Sequence, residues 1–210
     1  MDRSRLEAFS DGVFAVAITL LAFYIAVKGP DYKKADLIHQ LSQLEPAFFG
    51  YLVSFFTIGI IWVNHHALVR NIVAVDRTLL FLNLVLLLFV VLIPFATNTV
   101  ADYGLSDSFD GRVSVAVYST VFFGMSLGFG SVFEWTLHGE RTQQPLPAER
   151  HWQARIRFVG GALVYLVGIG VAMLNSVAGF ALIAAVAVYY ILERTPAPTP
   201  GEKVTPANEE

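Results

Sequence analysis

The chain has 210 residues, 55% of them in the hydrophobic set and only 15% charged. A soluble domain carries about 25% charged residues, so this composition points to a lipid environment instead. Zero cysteines exclude disulfides, thiolate metal sites and cysteine nucleophiles, and a net charge of -3 offers no basic footprint for nucleic acid.

A helix crossing a hydrocarbon core of about 30 Å needs about 20 apolar residues. Runs of about that length occupy residues 9–27, 47–67, 79–96, 113–137, 158–174 and 177–191. The first follows two arginines but contains Asp11 and precedes five more, which marks a retained span rather than a cleaved leader. Lys28, Gly29 and Pro30 end it, and the polar stretch from Asp31 to Leu44 reads as a short amphipathic surface segment. The second closes at Arg70, and the third has Pro94 near its far end. An acidic loop, Asp102 to Asp110, leads to the fourth, and a polar linker, Gly139 to Gln153, leads to the fifth. Asn175 and Ser176 turn directly into the sixth. The sequence therefore divides into a transmembrane domain over residues 1–192 and a Pro-, Thr- and Glu-rich tail over 193–210, expected to be disordered.

Lys and Arg concentrate on cytoplasmic loops. With the N-terminus inside, the inner segments hold 10 of them (Arg3, Arg5, Arg70, Arg77, Arg141, Arg150, Arg155, Arg157, Arg194, Lys203) and the outer segments hold 4. Both termini are thus expected in the cytoplasm. No repeat relates the first three spans to the last three, so the inverted-repeat mark of many transporters is missing.

An ionisable group at the centre of a spanning helix costs roughly 2.5–3.5 kcal/mol on insertion scales. Ser10 and Asp11 therefore need explanation. Arg5 lies six residues away, about 600° round the helix, so it does not neutralise Asp11 along the same helix. Partners are expected from other helices at the same depth: Trp62, Asn64, His65 and His66 on the second span and Asn83 on the third. Structural glue is one reading of this layer; for Asp11 a functional reading is favoured, since intramembrane acids usually carry function. His65 and His66 are adjacent and point about 100° apart, so no shared metal ion is expected, and no cofactor either. The glycines of the fourth and fifth spans, Gly124 with Gly128 and Gly160, Gly161, Gly168 and Gly170, read as close helix packing.

The segment from Arg5 through Phe9-Ser10-Asp11 to Thr19-Leu20-Leu21 resembles the signature of bacterial members of the TMEM175 potassium-channel family. Trp62 to His66, Asn83-Leu84 and Pro94-Phe95-Ala96-Thr97 are similar to the same family. The resemblance implies an all-α integral membrane protein with six transmembrane helices per subunit, assembled as a homotetramer around a pore lined by the first helix. It implies permeant potassium ions, with other monovalent cations admitted, and a bacterial cytoplasmic membrane. It also implies that Arg5, Phe9, Ser10 and Asp11 hold the first helix against Trp62, Asn64, His65, His66 and Asn83.

At about 100° per residue, Phe9, Gly12, Val16, Thr19, Leu20, Phe23 and Val27 share one face of the first helix. By motif matching, Val16, Leu20 and Phe23 take the family's constriction positions, with Gly12, Thr19 and Val27 facing the pore. Val16 is smaller than the family's usual Ile or Leu, and Phe23 bulkier than its frequent Leu. No Thr-Val-Gly-Tyr-Gly filter occurs. An apolar ring gates by dewetting. The reading is a potassium-preferring channel and not an enzyme; a secondary transporter or a non-transporting membrane scaffold are the alternatives.

Overall fold

The computed structural model describes residues 2–23, 25, 36–103, 106, 108–138, 141–143 and 148–192. Among them the chain is helical, with one isolated bridge, Ile72 to Thr142, between two loops. The helices are α1 (Arg3–Ala22), α2 (Leu37–Gln43), α3 (Glu45–Arg70), α4 (Arg77–Tyr103), α5 (Phe109–Thr136), α6 (Ala148–Leu174) and α7 (Ser176–Leu192). Four of them, α3 to α6, contain segments long and apolar enough to cross a bilayer, and α7 is a shorter apolar helix.

Local chemistry sets several boundaries. Asp2 caps α1 by accepting from the Ser4 amide and hydroxyl, and these bonds hold its carboxyl below the usual carboxylate range. Ser108 caps α5 through the Gly111 amide. Asp76 accepts from the Leu79 amide at 2.7 Å and from the Trp135 indole at 3.3 Å, so one carboxylate starts α4 and ties it to the end of α5. Of the expected amphipathic segment over 31–44, residues 37–43 form α2, which leaves Leu37, Ile38 and Leu41 exposed; residues 31–35 lie outside the described residues, as do Val27 and the tail over 193–210.

The third apolar run, expected to end at residue 96, continues as helix to Tyr103. Pro94 removes one backbone donor. The polar residues beyond it satisfy themselves within the helix: Thr97 and Thr99 donate to the carbonyls of Ile93 and Ala96, and Asn98 donates to Asp102. Helix start points also precede the apolar runs, and at α1, α4, α5 and α7 a side-chain cap from Asp2, Asp76, Ser108 or Asn175 begins the helix ahead of the hydrocarbon-length segment.

The core lies where α4 meets α5. Leu86, Val90, Ile93 and Ala96 of α4 and Tyr118, Phe122 and Met125 of α5 are fully or almost fully buried. Gly128 allows the approach, since a Cβ there would sit 2.8 Å from the Leu86 Cα, and a Cβ at Gly124 would strike the Phe89 ring. Gly161 and Gly168 likewise abut Tyr190 and Ser119, but Gly160 and Gly170 face open space, so only part of the α6 glycine set serves packing. Next to the core, α6 packs on α5 and α7, and α3 bridges α4 and α7. Helix α1 stands at the edge, against α3 and α4.

Candidate functional site

Helix α1 has two apolar faces with different surroundings. Leu6, Ser10, Phe14, Ala17 and Leu21, spaced three or four apart, are buried against the bundle. The other face is open: Phe9, Val16, Leu20 and Phe23 are 52%, 54%, 38% and 77% exposed, and Gly12 and Thr19 are exposed beside them. Gly12 has nothing within 4 Å of a Cβ built on it, so its small size answers no packing need inside the subunit.

Three buried side chains fasten α1 to its neighbours. His65 Nε2 and Asn83 Oδ1 are 2.7 Å apart, Asn83 Nδ2 donates to Ser10 Oγ at 3.0 Å, and Ser10 donates to the Leu6 carbonyl at 2.9 Å. With its amide nitrogen committed to Ser10, Asn83 accepts at Oδ1, so His65 carries the proton on Nε2. The chain runs in one direction from α3 through α4 to α1, and no member is more than 1% exposed. The Phe14 ring covers His65 with centroids 5.4 Å apart.

A second tier lies nearer solvent. Trp62 donates its indole N–H to Asp11 Oδ1 at 2.8 Å. His66 Nδ1 is 3.0 Å from Glu7 Oε1, out of line for a hydrogen bond, so the contact is coulombic and depends on the imidazole charge. At the end of the helix Arg3 donates to the Arg70 carbonyl at 2.9 Å, capping the C-terminus of α3. Polar contacts thus tie α1 to α3 and α4 over its first half, while its second half is held by apolar packing.

Of the residues expected in this layer, Ser10, Asp11, Trp62, His65, His66 and Asn83 touch α1 or link to it. Phe9 and Arg5 are exposed, and Arg5 makes no polar contact among the described residues. Asn64 points elsewhere, into a groove between α3, α5, α6 and α7. Two features went unrecognised in the sequence. Glu7 is the partner of His66, signalled only by a second acid one turn from Asp11. In the other half of the bundle, Ser54 Oγ lies 2.7 Å from Thr97 Oγ1 and 2.8 Å from the Tyr118 hydroxyl, a buried trio joining α3, α4 and α5. Thr97 donates to the Ile93 carbonyl of its own helix and accepts from Ser54 as well. Ser119, by contrast, is buried with no hydrogen-bond partner among the described residues.

Four apolar helices of membrane-crossing length among the described residues, with an edge helix held to them by buried polar bonds, define a multi-pass α-helical membrane protein. A family model described as the endosomal/lysosomal potassium channel TMEM175 matches residues 5–94, the stretch that carries α1, α3 and most of α4. A potassium channel of Streptomyces collinus is 40% identical over 202 residues, 94% of this chain and 96% of the relative. One from Chamaesiphon minutus is 30% identical over 196 residues, 91% of this chain and 94% of that one. The crystal structure of a lysosomal potassium-selective channel TMEM175 homolog from Chamaesiphon minutus superposes with a TM-score of 0.78 at 29% identity, over 90% of this chain and 96% of that chain. The chain belongs to the TMEM175 family of potassium channels, a family of channels rather than enzymes.

Proposed function

We propose that this protein is a potassium-preferring cation channel, a homotetramer in a bacterial cytoplasmic membrane, with α1 lining the pore. Six spans per subunit, α1 and α3 to α7, would leave both termini on one side, and the surplus of Lys and Arg on the inner segments makes that side the cytoplasm. At 17 residues α7 measures about 25 Å, within the range of a short span.

The carrying observation is the open apolar face of α1 opposite its polar fastening. A face that only met lipid would need neither the exposed Gly12 nor bonds that fix the helix rotation. One subunit with a single such stripe encloses no path, whereas several copies around an axis turn it into rings. Val16, Leu20 and Phe23 then form three successive constrictions, with Gly12, Thr19 and Val27 between and beyond them. Conduction requires the rings to wet, through a small rotation or outward shift of α1. The Ser10–Asn83–His65 chain sets the rotation from which that shift starts.

Reconstituted into planar bilayers, the protein should pass potassium current in preference to sodium. Absence of any unitary current would rule the proposal out, and turnover at carrier rates would favour a transporter. Leu20→Ala should raise conductance or lower the potassium preference. Currents identical to wild type would remove Leu20 from the constriction.

A further inference from the structure

Arg5 is charged, exposed and without a polar contact among the described residues, although it was expected among the residues that fasten α1. Its direction explains this. Gly12, Val16, Thr19 and Phe23 follow it by 7, 11, 14 and 18 residues, which at about 100° per residue keeps all four within about 40° of it. Arg5 therefore stands at the foot of the open face, about 16 Å below Val16 along the helix.

The other charges near this end of α1 are turned away or engaged. Glu7 stands 3.0 Å from His66 and Asp11 accepts from Trp62, both on the side of α3 and at about 160° and 120° from Arg5. Arg3 donates to the carbonyls of Arg70 and Ile72. Asp2, one turn nearer the helix end, accepts from the Ser4 hydroxyl at 2.9 Å. From Arg5 to Phe23 the open face carries no further charge.

We infer, with α1 as the pore lining and its N-terminus in the cytoplasm, that Arg5 controls how readily cations enter the pore from the cytoplasmic side. Copies of α1 around an axis gather their Arg5 side chains into a ring at the inner mouth, the last charge an ion passes before the apolar constrictions. The positive N-terminal pole of each helix has the same sign. Carboxylate rings collect cations at a channel mouth, and an arginine ring does the reverse. A cation about 8 Å, one Debye length, from four such charges is depleted about threefold at physiological salt and more than about tenfold at low salt. Potassium current leaving the cytoplasm is therefore smaller than current entering it at equal driving force, and the difference fades as salt rises.

Single-channel recording in planar bilayers with symmetric potassium tests this. Wild type should pass less outward than inward current. Arg5→Gln should raise the outward current about threefold at physiological salt, and more at lower salt, with inward current little changed. Arg5→Lys, which keeps the charge, should behave as wild type. Arg5→Cys, in a chain with no cysteine of its own, should lose the asymmetry and regain it when a cationic methanethiosulfonate reacts from the cytoplasmic side of the folded channel. Wild-type rectification in Arg5→Gln would overturn the inference and leave the pore standing. Arg5→Lys matching Arg5→Gln would overturn it too, because guanidinium bonding and not charge would then be what matters. Restoration only from the opposite side would place the N-terminus outside and overturn it equally. No current from wild type or any variant would remove the channel reading itself.

Discussion

Asp11 separates charge from hydrogen bonding. Its structural partner is a neutral indole N–H, which any acceptor of the same shape satisfies. Asp11→Asn should therefore change stability by less than about 0.5 kcal/mol, while Asp11→Leu, which strands the Trp62 donor, should cost about 1 kcal/mol. Equal losses in thermal unfolding of the detergent-solubilised protein would show that the charge itself matters. Ser10→Ala acts on a drier site, where Asn83 Nδ2 loses its acceptor. Bonds between membrane helices average only about 0.6 kcal/mol, because separated helices find other partners. An unpaired buried donor costs about 1–3 kcal/mol, so a loss near 1 kcal/mol is expected and full wild-type stability would refute it. At this scale the sequence was readable in height but not in rotation. Counting residues from the helix ends brings Ser10, His65 and Asn83 to one level. Which of four neighbouring residues on α3 faces α1 depends on how α3 is turned, and that is decided by packing against α4 and α7. Asn64 was therefore expected in the wrong place, and Glu7 was missed.

Between helices, the glycines divide by what stands opposite them. Gly128 faces the backbone of Leu86, which has nowhere to move without parting α4 from α5. Gly128→Ala should cost about 1–3 kcal/mol, the usual range for overpacking. Gly160 meets nothing, so Gly160→Ala should be neutral or gain up to about 1 kcal/mol from helix propensity. The pair shares one assay, thermal unfolding in detergent, and similar effects at both sites would contradict the packing described. A glycine spacing in sequence could not make this distinction, because it records which residues are small and not which helix lies opposite. The same limit explains the buried trio of Ser54, Thr97 and Tyr118. The Ser54 and Thr97 hydroxyls each look able to bond their own helix backbone, and only the crossing of three helices joins them to each other and to Tyr118. The apolar runs, by contrast, predicted the existence and order of the long helices, since hydrocarbon thickness constrains length directly.

For the whole molecule, the position of α1 decides what the subunit can do. The other long helices surround the contact of α4 with α5, whereas α1 leans on two of them and leaves a face uncovered. If copies assemble with that face inward, side chains that are far apart on one subunit become neighbours across an axis. The chain has no cysteine, so single introduced thiols report on this without background. Disulfides form only where Cα atoms come within about 4.4–6.8 Å. Leu20→Cys should give covalent dimers on mild oxidation in the membrane, because a narrow apolar ring brings adjacent copies of this position together. Leu88→Cys, 58% exposed on α4 away from the buried core, should stay monomeric on a denaturing gel. Crosslinking at Leu88 but not at Leu20 would place the subunit contact on the opposite side and leave α1 facing lipid. Thiols at Val16 and Phe23 extend the measurement along the axis. The position that crosslinks most readily should be the narrowest ring, which relates the smaller Val16 and bulkier Phe23 of this chain to the shape of its pore.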